Sequence, residues 1–271
     1  MRTSARVAPG FSSAPETIGM KILVTFAVEA EFSPWRKLRQ FSQSNLGDVR
    51  AYSAQMNDGE LVVLLTGVGG RRAWAEATKV IWDGNVNVCI SSGLAGALRG
   101  EHRPGDVLAA KEVHATNRKK VIPSDRALLG LARACGAKVV DAFYSVDRVL
   151  VRSSEKSELG AKADAVEMES GDIMLEAVAF GAKVIAIRGI SDAVEEDLPL
   201  DFNRVTSESG ELSIAKVLAQ AAAHPRSIPK LVRFGWQSRS AAEKLAIVLD
   251  ACIQKLVTTD ILTQAIEVSA T

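Results

Sequence analysis

Two carboxylates in the segment AVEMES, Glu167 and Glu169, have the surroundings and spacing expected of groups that bind hydroxyls. They flank Met168 where a short apolar strand runs into a predicted helix, within otherwise apolar sequence. A buried carboxylate needs a partner, and the two adjacent hydroxyls of a ribose would provide one. Helix capping by Glu169 is the alternative interpretation.

Further carboxylates stand directly after two other predicted strands. Asp192 follows the apolar run 184–190 and Ser191. A carboxyl group in such a place can have a raised pKa and donate a proton, although an aspartate there is also commonly a helix N-cap. Glu29 and Glu31 lie just past the first strand. Their spacing alone favours the acidic first turn of a helix, because a helix N-terminus is electropositive.

Two glycine-rich turns lie between predicted strands and the segments that follow them. In the first, TGVGGRR, Gly69 and Gly70 could present backbone N–H groups to an anion beside Arg71 and Arg72. It matches neither the dinucleotide-binding nor the phosphate-loop pattern, and a plain tight turn explains it equally well. In the second, SSGLAG at residues 91–96, small residues allow either a flat ligand or a packed helix to approach the backbone closely.

The elements that must position these residues are strands that alternate with helices from Met20 onward. Asp58-Gly59 between two strand-like runs predicts a hairpin. The alternation predicts one α/β domain with a mostly parallel central sheet and helices on both faces. Ligands bind such sheets at the carboxyl ends of the strands, which is where the carboxylates and glycines lie.

Composition excludes several other classes of protein. The 33 basic and 32 acidic residues give a net charge of +1, which argues against a general nucleic-acid binder. No apolar run approaches the ~18 residues that span a bilayer, so we expect no integral membrane contact. Cysteines 89, 135 and 252 are odd in number and lack metal-ligand spacing. They favour a reducing, cytoplasmic location over a disulfide framework or a structural metal site.

The two ends of the chain differ from its centre. Residues 1–19 are rich in Arg, Ser, Ala and Pro and lack the apolar core of a secretory signal, so we expect a disordered extension. The domain is predicted over residues 20–271, with a helical C-terminal extension from about residue 205 that contains helices over residues 212–224 and 241–257.

Six segments together point to a known family: MKILVTFAVEAE, TGVGG, SSGLAGA, GDVLAAKEV, AVEMES and IRGISDA. In order and spacing the chain resembles the purine nucleoside phosphorylase/nucleosidase superfamily, in particular the 5′-methylthioadenosine/S-adenosylhomocysteine nucleosidases, over roughly Met20 to Phe202. The resemblance implies one domain around a mixed, partly barrel-like sheet, assembled as a homo-oligomer, with a dimer expected. It implies an N-glycosyl hydrolase that acts on a small-molecule purine nucleoside without a cofactor or metal.

The resemblance also implies a role for each matching residue. Asp192 would protonate N7 of the purine with support from Ser191, and Glu31 would orient and activate the attacking water. Glu169 would bind the ribose hydroxyls, with Met168 packed under the sugar. The remaining substrate contacts would be Glu167, Ala95, Gly96, Val149 and Leu150. At Val149 the nucleosidases usually carry a phenylalanine that stacks on the base.

Differences from the phosphorylase branch predict hydrolysis. The phosphate-binding arginines of that branch align with Glu31 and Ser91, and its phosphate-binding serine aligns with Leu94. A carboxylate in this pocket would repel phosphate, whereas it suits water. Phosphorolysis remains the alternative, in which Arg71 and Arg72 would have to compensate.

Residues 227–239 (SIPKLVRFGWQSR) interleave basic with apolar residues and contain no acid. This pattern predicts a surface helix that packs on the domain or forms a dimer contact. The alternative is a lid over the 5′ end of the nucleoside or an interfacial membrane contact. A similar extension occurs in hopanoid-associated phosphorylase-like proteins, which implies an adenosyl lipid as an alternative substrate. Since fold alone does not establish activity, a nucleoside-binding protein on the same fold is the non-enzymatic hypothesis.

Overall fold

The computed structural model describes residues 19–46, 49–56, 59–69, 77–81, 85–205, 219–220, 223 and 225–258. The strands are β1 (Met20–Phe26), β2 (Ser42–Leu46), β3 (Val49–Met56), β4 (Gly59–Leu65), β5 (Val88–Ala97), β6 (Val107–Ala115), β7 (Lys120–Pro123), β8 (Lys138–Ser145), β9 (Ala165–Glu167) and β10 (Lys183–Asp192). The helices are α1 (Glu29–Leu38), α2 (Arg126–Ala134), α3 (Ser153–Leu159), α4 (Ser170–Ala179), α5 (Phe202–Val205) and α6 (Ile228–Thr258). A 3-10 turn (Pro225–Ser227) precedes α6, and residues 77–81 are also helical.

The strands form one mixed sheet that closes on itself along part of its length. At its centre β10, β5, β1 and β4 lie side by side and parallel. The sheet continues through β3 and β2, which are antiparallel, and the predicted hairpin joins β3 to β4. On the other side β10 pairs with β6, and the order β6, β8, β9 leads back to β5. This ring of five strands confirms the expected mixed, partly barrel-like α/β fold.

The central strands are continuous apolar runs because both of their faces are covered. In β1, Ile22, Leu23 and Val24 are fully buried although they point alternately to opposite faces. The parallel pairing brings the carboxyl ends of β1, β5 and β10 to one edge of the sheet. Along that edge Thr25 pairs with Ser91, and Asp192 pairs with Gly96.

Helix α6 is longer than the predicted helix at residues 241–257. Its C-terminal part buries Leu245, Leu249 and Ile253 at helical spacing against the domain. Asp250 accepts hydrogen bonds from Nε1 of Trp35 at 3.0 Å and from Nε of Arg39 at 2.9 Å, which joins α6 to α1 and to the residue that follows it. The N-terminal part of α6 extends beyond this core to the rim of the cavity described below.

Two predictions fall mainly or wholly on residues outside the described ranges. They are the disordered extension, for which only Gly19 is described, and the helix over residues 212–224. In the described part of the chain, no helix combines the length and apolar character needed to cross a membrane.

Candidate active site

A cavity of about 800 Å³ opens at the edge of the sheet where β1, β5, β9 and β10 end. This volume lies within the ~300–1,000 Å³ of small-molecule sites. The structure brings ten of the predicted site residues into its lining, although they come from five separate parts of the chain: Glu31, Ala95, Gly96, Val149, Leu150, Glu167, Met168, Glu169, Ser191 and Asp192.

Glu31 lies in the first turn of α1, as its spacing suggested, but its side chain also reaches β5. Its Oε2 accepts the backbone N–H groups of Ala27 at 3.0 Å and Val28 at 3.3 Å, and its Oε1 accepts that of Leu94 at 2.9 Å. Burial raises the pKa of Glu31, while the charge of Arg188 and the three backbone donors oppose the rise. The carboxyl group is therefore held in one orientation at the cavity wall and has an increased affinity for a proton.

Arg188 of β10 organises a second group of carboxylates and is fully buried. Its Nη2 donates to Oε2 of Glu167 and, at 2.9 Å, to Oγ of Ser170, and it lies 3.5 Å from Oε2 of Glu169. Oε2 of Glu167 also accepts the backbone N–H groups of Glu169 at 3.0 Å and Ser170 at 2.7 Å. Glu167 therefore binds the first N–H groups of α4, whereas Glu169, which occupies the N-cap position, makes no side-chain capping hydrogen bond. The side chain of Glu169 is left available to the cavity.

The carboxyl group of Glu169 is strongly perturbed by its surroundings. Burial, together with the charges of Glu167 and Glu31, raises its pKa to about 7, although Arg188 opposes the rise. Its Oε1 accepts the backbone N–H of Gly69 at 3.2 Å. The N–H of Gly69 is thus occupied by the protein's own carboxyl group, and anion binding by this turn stays a prediction. The other predicted anion-binding residues, Gly70, Arg71 and Arg72, lie outside the described ranges.

Asp192 is held from both oxygens. Ser191 Oγ lies 2.6 Å from Oδ1, and Nζ of Lys156 donates to Oδ2 at 2.7 Å. Burial raises the pKa of Asp192, while the charge and hydrogen bond of Lys156 oppose the rise. Gly96 lies directly beside this carboxyl group, since a Cβ built on Gly96 would be 3.1 Å from Oδ2.

Gly93 allows two charged side chains to approach the same point of β5. Its φ is +135°, and a Cβ built there would lie 2.6 Å from Nη1 of Arg188 and 2.9 Å from Oε2 of Glu31. The small residues of SSGLAG thus make room for the protein's own charged groups at Gly93 and Gly96, as well as for a ligand at the cavity wall.

Apolar side chains from elements far apart in sequence form part of the outer rim of the cavity, beside charged residues such as Lys37 and Arg239. The rings of Phe202 in α5 and Phe234 in α6 have centroids 5.4 Å apart. Asn203 exchanges hydrogen bonds with the backbone of Val149, at 2.8 Å with its N–H and at 3.0 Å with its carbonyl, which fixes the loop after β8. The apolar residues that line the rim are Leu38, Leu198, Phe202, Phe234 and Ile247.

Sequence reasoning missed two residues of the site, Arg188 and Lys156. Arg188 carried a signal, because it is a single charged residue within the apolar run 184–190. Lys156 carried none: it lies in the polar segment SSEKSEL, which is typical of an exposed helix. Only the packing of α3 against the loop after β10 shows that this lysine is buried.

A group of potential metal ligands, Glu101, His102 and Asp164, lies elsewhere in the described part of the chain. Asp164 already accepts from Nη1 of Arg99 at 3.0 Å and from the backbone N–H groups of Asp141 and Ala142, each at 3.0 Å. A cationic partner and two backbone donors on this carboxylate indicate a structural ion pair.

This chain is similar to known proteins in sequence and in fold. A family model described as the phosphorylase superfamily matches residues 21–254. A 5′-methylthioadenosine/S-adenosylhomocysteine nucleosidase of Maridesulfovibrio salexigens is 29% identical over 205 residues, which cover 66% of this chain and 88% of that protein. Futalosine hydrolase of Helicobacter pylori superposes with a TM-score of 0.67 at 19% identity, covering 87% of this chain and 98% of that one. The methylthioadenosine nucleosidase of the same organism, solved with butyl-thio-DADMe-Immucillin-A, gives 0.67 at 19% identity, with 88% and 99% covered.

Proposed function

Because the chain belongs to the phosphorylase superfamily, we propose that it hydrolyses the N-glycosidic bond of a purine nucleoside, an adenosine derivative with a 5′ substituent. One observation carries the proposal: besides Glu167, which binds Arg188 and the first N–H groups of α4, the cavity is lined by three buried carboxyl groups, those of Glu31, Glu169 and Asp192, each held by different partners. Breaking an N-glycosidic bond needs an acid at the base, negative charge near the sugar and a group that activates water.

Asp192 is the acid in this proposal. The departing purine develops negative charge, and a proton delivered to N7 neutralises it. General acid catalysis of this kind contributes about 10²–10⁴-fold in rate. The raised pKa of Asp192 supports the assignment, because a carboxyl group must carry a proton in order to donate one.

Glu169 and Glu31 act at the sugar. The ribose ring gains oxocarbenium character as the bond breaks, and a nearby carboxylate stabilises that positive charge. Glu169 can bind the ribose hydroxyls because its side chain is not used to cap α4. Glu31 accepts a proton from the attacking water, and its three backbone donors keep its carboxyl group oriented.

Hydrolysis is favoured over phosphorolysis by the charge around Glu31. The guanidinium closest to Glu31 among the described residues is that of Arg188, and it already donates to Glu167 and Ser170. As far as the described residues go, a phosphate would therefore meet carboxylates without a free guanidinium beside Glu31.

Product analysis tests the proposal. The purified protein is incubated with adenosine, 5′-methylthioadenosine and inosine, with and without phosphate. We expect free base and free sugar without phosphate, and a loss of about 10²–10⁴-fold in kcat for Asp192→Asn with nucleoside binding retained. The matched control is Asp141→Asn, which changes an exposed aspartate outside the cavity. Strict dependence on phosphate would overturn hydrolysis, and binding without turnover would favour the non-enzymatic hypothesis.

The apolar rim favours a second candidate, an enzyme that acts on an adenosyl lipid. Leu38 and Ile247 line the cavity and are also exposed, so a long apolar 5′ group could leave the cavity along them. Comparing adenosine, methylthioadenosine and a 5′-alkylthioadenosine with a long chain separates the candidates. Preference for the short substituent would contradict the lipid substrate.

A further inference from the structure

The side chain of Lys156 is fully buried, which is rare for a lysine unless its charge is paired. All three of its N–H groups have acceptors: Oδ2 of Asp192 at 2.7 Å, the carbonyl of Ala193 at 2.7 Å and the carbonyl of Glu196 at 2.6 Å. An ammonium has three donors, so this one is held in a single place. Lys156 is therefore a fixed positive charge in the wall of the cavity.

The other charged group that faces Asp192 among the described residues is Glu196, in the loop after β10. Its carboxylate is itself paired, because Nη2 of Arg233 in α6 donates to it at 2.8 Å. Strands β5 and β9 meet Asp192 with Gly96 and Val166, which carry no charge. Lys156 thus provides the dominant charge acting on this carboxyl group.

Stability alone is a weak reason for such a pair. Moving a lysine and an aspartate out of water costs desolvation free energy, and their mutual attraction often does no more than offset that cost. Buried ion pairs are therefore frequently no more stabilising than apolar side chains of similar volume. The pair here also lines the substrate cavity, and Ser191 holds the second oxygen of the same carboxyl group.

We propose that Lys156 is a positioning residue for the reaction: it aims the carboxyl group of Asp192 into the cavity and stabilises the carboxylate that remains after the proton has been given to the base. The inference rests on the proposed function. In the step, the Asp192 O–H bond breaks and an N7–H bond forms, so the electron pair of the O–H bond stays on Asp192. The C1′–N9 bond breaks with its pair moving to the purine, which leaves as the neutral N7-protonated base.

Water then supplies the hydroxyl group at C1′, and its proton passes to Glu31. Solvent takes the proton from Glu31 and returns one to Asp192, which completes the cycle. Throughout it Lys156 keeps its own protons and contributes charge and orientation only.

The test compares Lys156→Met, which keeps an unbranched side chain as far as Cε and removes the ammonium group, with Lys156→Arg, which keeps the charge. The control is Lys111→Met, which removes an exposed lysine that pairs with Asp141 outside the cavity. Melting temperature, nucleoside binding, kcat and the pH profile of kcat/KM are measured for each variant.

For Lys156→Met we expect kcat at its pH plateau to fall by about 10- to 100-fold, less than the full ~10²–10⁴-fold contribution of general acid catalysis because Asp192 itself is retained. We expect nucleoside binding to be little changed. We also expect the loss of activity at high pH to move upward by about 1–3 pH units, since an opposite charge at this distance lowers a carboxyl pKa by that much. Lys156→Arg should lose activity at the same pH as wild type, because the positive charge is kept. Its kcat should be lower, because the planar guanidinium cannot donate to the same three acceptors.

Unchanged kcat and an unmoved pH profile in Lys156→Met would overturn the inference, as would a lower melting temperature with normal kcat in the folded fraction. If Lys156→Met does not fold, Lys156→Arg decides: full activity, or a shifted profile, contradicts the inference. Wild type and Asp192→Asn are assayed alongside. If wild type is inactive, or if Asp192→Asn is active, the proposed function has failed. If wild type is active and Asp192→Asn is inactive, the proposed function stands, and the Lys156 variants then test the role of Lys156 alone.

Discussion

Gly93→Ala tests whether the site depends on the close approach of the Arg188 and Glu31 side chains to Gly93 of β5. The added Cβ would lie 2.6 Å from Nη1 of Arg188 and 2.9 Å from Oε2 of Glu31, closer than Cβ atoms approach other atoms. The φ of +135° adds strain of about 1–3 kcal/mol for an L side chain. Displacing the charged groups weakens hydrogen bonds that contribute about 1.5–3 kcal/mol each.

We therefore expect Gly93→Ala to lower the free energy of unfolding by at least about 2 kcal/mol. We also expect it to lower kcat, because Glu31 can no longer keep its place against the N–H of Leu94. Urea denaturation followed by tryptophan fluorescence measures the first effect, and the nucleoside hydrolysis assay measures the second.

The matched control is Gly130→Ala. Gly130 lies inside α2, and a Cβ built there meets nothing within 4 Å. Alanine in a helix interior is favoured over glycine by about 0.5–1 kcal/mol, so this variant should be at least as stable as wild type. If Gly93→Ala unfolds at the same urea concentration as wild type and keeps its kcat, the packing argument is refuted.

Two other predictions concern Glu169 and the apolar rim. The pKa of Glu169 is about 7 in the folded protein, against an ordinary value of 4.5. The folded protein therefore binds this proton more tightly than the unfolded chain does. As a result, the free energy of unfolding falls as pH rises from about 4.5 to 7. Glu169→Gln should reduce this pH-dependent fall in the free energy of unfolding by up to about 3 kcal/mol. If urea titrations at several pH values show the same dependence of that free energy on pH for variant and wild type, the prediction is contradicted. Phe234→Ala should raise KM for nucleosides with an apolar 5′ group more than for adenosine, whereas Trp236→Ala, on the exposed side of the same helix, should leave both values unchanged. Equal effects of the two substitutions on KM would argue against the rim as a 5′ site.

Local sequence determined most of the elements and where the carboxylates would lie. Strands β1 and β10 could be recognised from their apolar runs. Both faces of a central strand are covered, so such a strand is apolar throughout whichever strands pair with it. Strands β2 and β7 were not predicted. They are short, and β2 has the polar sequence SQSNL: among the described strands it lies at the edge of the sheet and pairs with β3 alone. Edge strands of this kind lack a strong apolar signal.

The shared location of the site residues was predicted from general rules and from the family resemblance. Residues at the carboxyl ends of neighbouring parallel strands meet at one edge of a sheet, so Asp192 and Gly96 could be expected to lie near each other. The roles assigned to these residues, the dimer, the cytoplasmic location and the identity of the 5′ group stay predictions.

Tertiary structure alone decided the partners of each charged group. Glu167 and Glu169 both lie beside the guanidinium of Arg188, which is 21 residues from Glu167 and 19 from Glu169 along the chain and belongs to another strand. Lys156 is polar, helical and unremarkable in sequence, yet it is buried because α3 packs its side chain against the loop after β10. Secondary structure follows from spacing along the chain. The protonation and orientation of a buried carboxyl group follow from charges and donors within a few ångströms, which only the folded chain brings together.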